Sequence, residues 1–265
     1  MTHILLYTLL LYGLVVLLAN LFQHRFIFQP KKLESDYRFS LPHAFKEIWL
    51  EGADSLKIHS LYFPAEAESR GLVLYFHGNA DNLQRWGQYT EDFTRLGFEV
   101  LAIDYPGYGK SPGTPSENSI FASAELAYQW ARTHHPDRPL VIYGRSLGSG
   151  PASYLRSQHP QHWLMLETPF YSIQDVMTHG YRAFLPFVSS PLFPVHQYLS
   201  QQPEKACIFQ GTDDWVVPFA SAVKLKPLLA DPEQFFIYEG GGHKNLRTFP
   251  SYHQDLARML DQVVE

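Results

Sequence analysis

Gly144-Arg145-Ser146-Leu147-Gly148 lies directly between the apolar run Leu140-Val141-Ile142-Tyr143 and a helix-compatible stretch. A serine on such a sharp strand-to-helix turn stands exposed above a sheet. The glycines two residues before and after it let strand and helix approach closely. By itself the pattern is weak, since it arises by chance in roughly one chain in ten of this size. Its flanks strengthen it, and they require the rest of the chain to supply an acid, a base and an oxyanion hole.

Three further loops do so, each at the end of an apolar run. Leu72-Val73-Leu74-Tyr75-Phe76 has the continuous apolar character of a parallel strand buried on both faces, and it ends in His77-Gly78-Asn79-Ala80. Cys207-Ile208-Phe209 leads into Gly211-Thr212-Asp213-Asp214, and Phe235-Phe236-Ile237-Tyr238 into Glu239-Gly240-Gly241-Gly242-His243. Nucleophile, acid and histidine thus follow in the order Ser, Asp, His, all at carboxyl ends of predicted strands. A serine hydroxyl is a poor nucleophile at neutral pH and needs a base within hydrogen-bond reach. Among thirteen histidines only His243 follows the last strand in a glycine-rich loop; the nearby rival, His253, falls on a terminal helical stretch. The acid is Asp213 or Asp214, with Glu167 a third carboxylate at a strand end. Position alone points to the backbone N–H groups of Asn79 and Leu147 as oxyanion donors.

The runs Lys46–Glu51 and Leu56–Phe63 flank the turn signal Gly52-Ala53-Asp54-Ser55, and predict an antiparallel hairpin. Parallel strands are expected at Leu72–Phe76, Val100–Asp104, Leu140–Tyr143, Leu164–Glu167, Cys207–Gln210 and Phe235–Tyr238. Helices are expected near Asn82–Leu96, Ser119–Thr133, Leu147–Gln158, Phe219–Leu229 and Tyr252–Val264. Right-handed crossovers make this α/β alternation a mostly parallel, doubly wound sheet. The stretch 168–202 breaks the alternation. It is rich in aromatic residues, interrupted by Pro186, Pro191 and Pro194, and reads as a lid-like insertion shaping an apolar pocket.

From Phe26 onward the chain resembles the Bem46/ABHD13-like branch of the α/β-hydrolase superfamily. The resemblance rests on Phe26-Ile27-Phe28-Gln29-Pro30, His77-Gly78-Asn79-Ala80, Asp104 to Ser111 and Gly144 to Gly148. Glu167-Thr168-Pro169-Phe170, Gly211 to Pro218 and Gly242-His243 complete it. It implies an α/β-hydrolase fold and a catalytic triad of Ser146, Asp214 and His243, because it selects the fourth residue of Gly211-x-x-Asp over Asp213. It further implies a small-molecule or lipid acyl substrate, an ester or thioester, and no cofactor. A serine peptidase of the same fold is the alternative activity, and a non-catalytic membrane scaffold the alternative role. His77, Asp104 and Tyr105 read as structural, and Lys110 and Arg145 as solvated charges near the pocket mouth.

A net charge of −5 without a Lys/Arg cluster gives no reason to expect nucleic acid. The single cysteine, Cys207, allows no intramolecular disulfide and reads as a core residue, and no His/Cys cluster has zinc spacing. No Asp, Glu, Lys or Arg precedes Arg25, and Ile4 to Phe22 is almost unbroken apolar sequence. As a helix it would reach about 28 Å, close to the hydrocarbon thickness of a bilayer. The expected organisation is therefore a transmembrane anchor over 1–25, a juxtamembrane linker over 26–44 and a catalytic domain over 45–265. Arg25, Lys31, Lys32 and Arg38 follow the anchor, and by the positive-inside rule they slightly favour a cytosolic over an outward-facing catalytic domain.

Overall fold

The computed structural model describes residues 6–8, 10–15, 27–180 and 192–265. Two short strands, β1 (Gln29–Pro30) and β5 (Ala80–Asp81), pair in parallel beside the main sheet. That sheet contains β2 (Lys46–Glu51), β3 (Lys57–Phe63), β4 (Gly71–Phe76), β6 (Phe98–Ile103) and β7 (Leu140–Arg145). It is completed by β8 (Trp163–Glu167), β9 (Ala206–Gly211) and β10 (Phe235–Tyr238), in the order β10-β9-β8-β7-β4-β6-β3-β2. Only β3 runs antiparallel to its neighbours, β2 and β6; the other pairs are parallel.

Alternate residues of each strand face opposite layers. Leu72, Leu74 and Phe76 of β4 pack with α1 (Glu117–His134) and α2 (Ser149–Gln158), whereas Val73 and Tyr75 join the layer under the C-terminal helix. α1 begins in a capping box, with the Ser116 hydroxyl accepting from Ser119 N–H at 3.1 Å and the Ser119 hydroxyl accepting from Ser116 N–H at 2.9 Å. α3 (Ile173–Gly180) and α4 (Val195–Gln201) belong to the 168–202 stretch, and α5 (Pro250–Val264) closes the chain with proline in its first turn. Cys207 is buried in β9 as a free thiol, and burial pushes its ionisation up.

Two expected helices are broken. Asn82–Leu96 divides into Leu83–Trp86, a 3-10 turn at Gly87–Tyr89 and Glu91–Thr94. Its bend lies where the Thr90 hydroxyl donates back to Gly87 O at 2.8 Å, and where Gly87 packs so closely on Leu41 that a Cβ would come within 2.8 Å. Phe219–Leu229 is α-helical only over Phe219–Ala222, then tightens to 3-10 geometry around Pro227, which has no N–H to donate.

Of the apolar run 4–22, residues 6–8 and 10–15 are helical and exposed, and the remainder lies outside the described residues. Among the described residues, no helix is long and apolar enough to cross a membrane. The centre of the lid-like stretch, 181–191, with Tyr181, Phe184 and Phe187, also lies outside them.

The strand order positions the site. The chain passes from β4 to β6 on one side, then returns to β7 on the other, so the loops leaving β4 and β7 diverge from adjacent strand ends. Such a reversal opens a crevice at the carboxyl edge of the sheet. The turn after β7 fits there because its glycines lack side chains. A Cβ on Gly148 would lie 2.0 Å from Phe76 O, and one on Gly144 would lie 2.4 Å from Gly148 O. Gly148→Ala is therefore expected to lower stability by about 1–3 kcal/mol or more through forced separation of strand and turn. A urea-denaturation midpoint equal to that of the parent would show that the turn has slack.

Candidate active site

Ser146 begins the turn after β7 with φ of 51°, a left-handed backbone that a serine adopts only under constraint. Its Oγ lies 3.0 Å from His243 Nε2, and His243 Nδ1 lies 2.8 Å from Asp214 Oδ2. All three side chains are largely buried. The Asp214 carboxylate is held from several directions. Its Oδ1 accepts the N–H groups of Val216 at 2.9 Å and Val217 at 2.8 Å, and its Oδ2 also lies 3.4 Å from Gln210 Nε2. Asp213 is exposed, and Thr212 Oγ1 donates to its carboxylate at 3.3 Å. His253 lies on α5, where Nε2 bonds Arg247 O at 2.8 Å, away from Ser146.

The acid and histidine loops touch at Gly211, where a Cβ would stand 2.1 Å from Gly241 O. Asp213 N–H donates to Gly241 O at 2.8 Å, and Gly240 N–H to Thr212 Oγ1 at 2.9 Å. Ser146, Leu147 and Asn79 line one cavity of ≈ 440 Å³ whose other walls are apolar: Ile27, Phe170, Ile173, Val176, Met177, Val216 and Val217. Leu147 is the second residue of a helical turn, so its N–H lies among those without a partner inside the turn.

Residues 67–207 match the Hydrolase_4 family, described as serine aminopeptidase, S33. The chain belongs to this family of α/β-hydrolases. It is 28% identical over 228 residues to an uncharacterized protein of Mycobacterium tuberculosis, spanning 84% of this chain and 81% of that one. It is 31% identical over 225 residues to lysophosphatidylserine lipase ABHD12 of Macaca fascicularis, covering 76% of this chain and 56% of the lipase. Its fold is similar to that of an esterase from Pyrococcus furiosus, with a TM-score of 0.72 at 16% identity over 90% of this chain and 98% of the esterase.

Beneath the hydrolase's histidine loop lies a polar network absent from the sequence reading. Arg145 is buried, not solvated. Its Nε stands 3.3 Å from Glu167 Oε1, its guanidinium packs over Tyr89 and Trp86, and one Nη donates to His243 O at 3.2 Å. Burial opposes the charge on Arg145, but the Glu167 carboxylate, with Tyr75, Tyr143 and Tyr252 adding to it, outweighs that and holds the ionisation above the ordinary value. Glu167 also accepts from Tyr252 OH at 3.0 Å and, closely, from Tyr143 OH. It serves the framework and does not touch His243. The only advance signal is register: parallel pairing of β7 with β8 sets Arg145 opposite Glu167.

Lys110 is buried as well, bonded to Glu47 at 2.7 Å and lying over Phe39. His77 braces its loop, with Nδ1 2.7 Å from Gly78 O and Nε2 3.5 Å from Asp104. Burial pushes the Asp104 carboxyl up, yet its contacts with His59 and His77 bring it below the usual carboxylate range. Asp104 Oδ1 also accepts Leu83 N–H at 3.1 Å, which ties the turn after β6 to the loop after β4.

Glu167→Gln leaves the Arg145 charge buried without a counterion and is expected to cost about 3–5 kcal/mol of stability. Replacing both partners, Arg145→Met with Glu167→Leu, should recover part of that loss, the remainder being the cost of the Tyr143 and Tyr252 hydroxyls left without their acceptor. Chemical denaturation of the single and double variants checks both, and an additive loss in the double variant would contradict the pairing.

Proposed function

We propose that the chain is an acyl-ester or thioester hydrolase that acts through an acyl-enzyme on Ser146. The observation that carries this reading is the relay Ser146–His243–Asp214, with links of 3.0 and 2.8 Å, opening into the apolar cavity. His243 Nε2 takes the hydroxyl proton as Oγ attacks the carbonyl carbon, and Asp214 holds the ring and stabilises the imidazolium. The tetrahedral oxyanion is received by the N–H groups of Asn79 and Leu147, each such donor being worth roughly 3–4 kcal/mol. Collapse expels the alkoxide or thiolate, which takes the proton from His243. Water then repeats the sequence on the acyl-enzyme and releases the acid.

The family's description includes aminopeptidases, but walls of Ile27, Phe170, Ile173, Val176 and Met177 favour an acyl chain over the α-ammonium of a peptide. The lipase name of the ABHD12 relative points the same way. The uncharged apolar run 4–22 is read as a membrane anchor, with the basic residues after it favouring a cytosolic catalytic domain. Membrane attachment would suit amphipathic esters already in the bilayer.

Ser146→Ala is expected to abolish fluorophosphonate labelling and ester turnover in a folded protein; residual turnover within tenfold of the parent would place the nucleophile elsewhere. Asp214→Asn should lower kcat by roughly 10⁴-fold by analogy with other triads. Asp213→Asn should change it only severalfold, and a reversal of the two effects would move the acid by one residue. A panel of acyl esters beside aminoacyl amides decides between esterase and peptidase, faster amide cleavage favouring the latter.

A further inference from the structure

We infer that Ile27 to Gln29, which follow the apolar N-terminal run, are part of the catalytic site and fix the oxyanion donor by fastening the Asn79 side chain. The inference rests on the acyl-transfer reading of Ser146. In the sequence these residues fall in a linker, and Asn79 matters only through its backbone. The structure gives the side chain three partners. Nδ2 donates to Ile27 O in a close contact, Oδ1 accepts Gln29 N–H at 3.1 Å, and Oδ1 also accepts Tyr108 OH at 2.9 Å. Only a neutral carboxamide satisfies this set, because one end must donate and the other must accept twice.

The segment is docked along its length. Ile27 lines the cavity beside Ser146, and Phe28 packs edge-on against Phe193 with ring centroids 6.2 Å apart. Gln29 and Pro30 pair with Ala80 and Asp81, the residues just after Asn79. Beyond them, Gly109 N–H donates to Lys31 O at 3.0 Å and Leu33 N–H to Gly109 O at 2.8 Å. The loop carrying Asn79 is thus held from the N-terminal segment on one side and from Tyr108 on the other. On the Ser146 side, a Cβ on Gly78 would stand 3.6 Å from the Ser146 Cβ, so displacement of this loop alters the reacting geometry directly. Misplacement of a positioning group by about 1 Å can cost on the order of 10²-fold in rate. Asn79 is in this respect a positioning residue acting through its own backbone, and the 27–29 segment is its support.

The test uses the full-length protein in detergent with a short p-nitrophenyl ester. Asn79→Asp removes the donor to Ile27 O, Gln29→Pro removes the N–H received by Oδ1, and Tyr108→Phe removes the third bond. The first two are expected to lower kcat about 10- to 100-fold and the third about threefold, with KM within twofold of the parent. The inhibition constant of a trifluoromethyl ketone, whose adduct with Ser146 carries an oxyanion, should rise by the same factors. A merely structural role would lower the melting temperature without this matched pair of shifts. Unchanged kcat in folded variants, or losses confined to KM with the ketone unaffected, would overturn the inference. If Asn79→Asp does not fold, Gln29→Pro and Tyr108→Phe decide by the same criteria. Fluorophosphonate labelling of the parent at Ser146 separates the two readings. A labelled parent with insensitive variants overturns the support role alone, whereas an unlabelled parent overturns the Ser146 reading and this inference with it.

Discussion

The closeness with which the β7 turn is pressed against the end of β4 determines most of the arrangement above the sheet. Gly148 abuts Phe76 O, Gly144 abuts Gly148 O, and Ser146 is held at φ of 51° between them. A non-glycine residue in that region costs about 1–3 kcal/mol, a cost that the packing of β4, β7 and α2 has to offset. In return the hydroxyl is fixed at the one place where the loops from β4, β9 and β10 converge. Because β4 and β7 are neighbours at the reversal of strand order, Ser146 and the loop bearing Asn79 need no long excursions to meet.

A second constraint is electrostatic. The histidine loop needs a rigid floor, and the floor is an ion pair, Arg145 with Glu167, sealed by Tyr143 and Tyr252. A buried pair of this kind is weak evidence for added stability, since desolvation consumes much of the attraction. Its geometric effect is clearer. Arg145 stands next to Ser146 in the chain and bonds the carbonyl of His243 in space, so one guanidinium links the two ends of the 3.0 Å contact.

The sheet was legible because its parallel strands are buried on both faces and therefore written as apolar runs; β4, β7, β9 and β10 lie within a residue or two of where those runs place them. The break at Gly87–Tyr89 was not, because it depends on contacts with Leu41 and Phe63, remote in sequence. The loops bearing Ser146, Asp214 and His243 were legible from glycine spacing at strand ends. Arg145 and Lys110 were misread for a common reason: long basic side chains are usually solvated, and only cross-strand register or a distant Glu47 reveals a buried partner.

The apolar run and the catalytic domain were divided in the sequence by a linker, yet the first described residue of that linker, Ile27, lines the site. Ile27 is both a wall of the cavity and only five residues beyond Phe22, the end of the run. Five residues reach at most about 18 Å fully extended. If the run lies in a bilayer, the cavity therefore sits within that distance of the interface, where the ester groups of lipids are found. The same short connection bears on the loop proposed to receive the oxyanion, because the chain that would tether the enzyme is also the chain that holds Asn79. On the proposed reading, tethering and transition-state stabilisation share one stretch of backbone: cutting within 27–30 removes more than a leash, whereas cutting before 26 leaves the bonds of Asn79 to Ile27, Gln29 and Tyr108 in place.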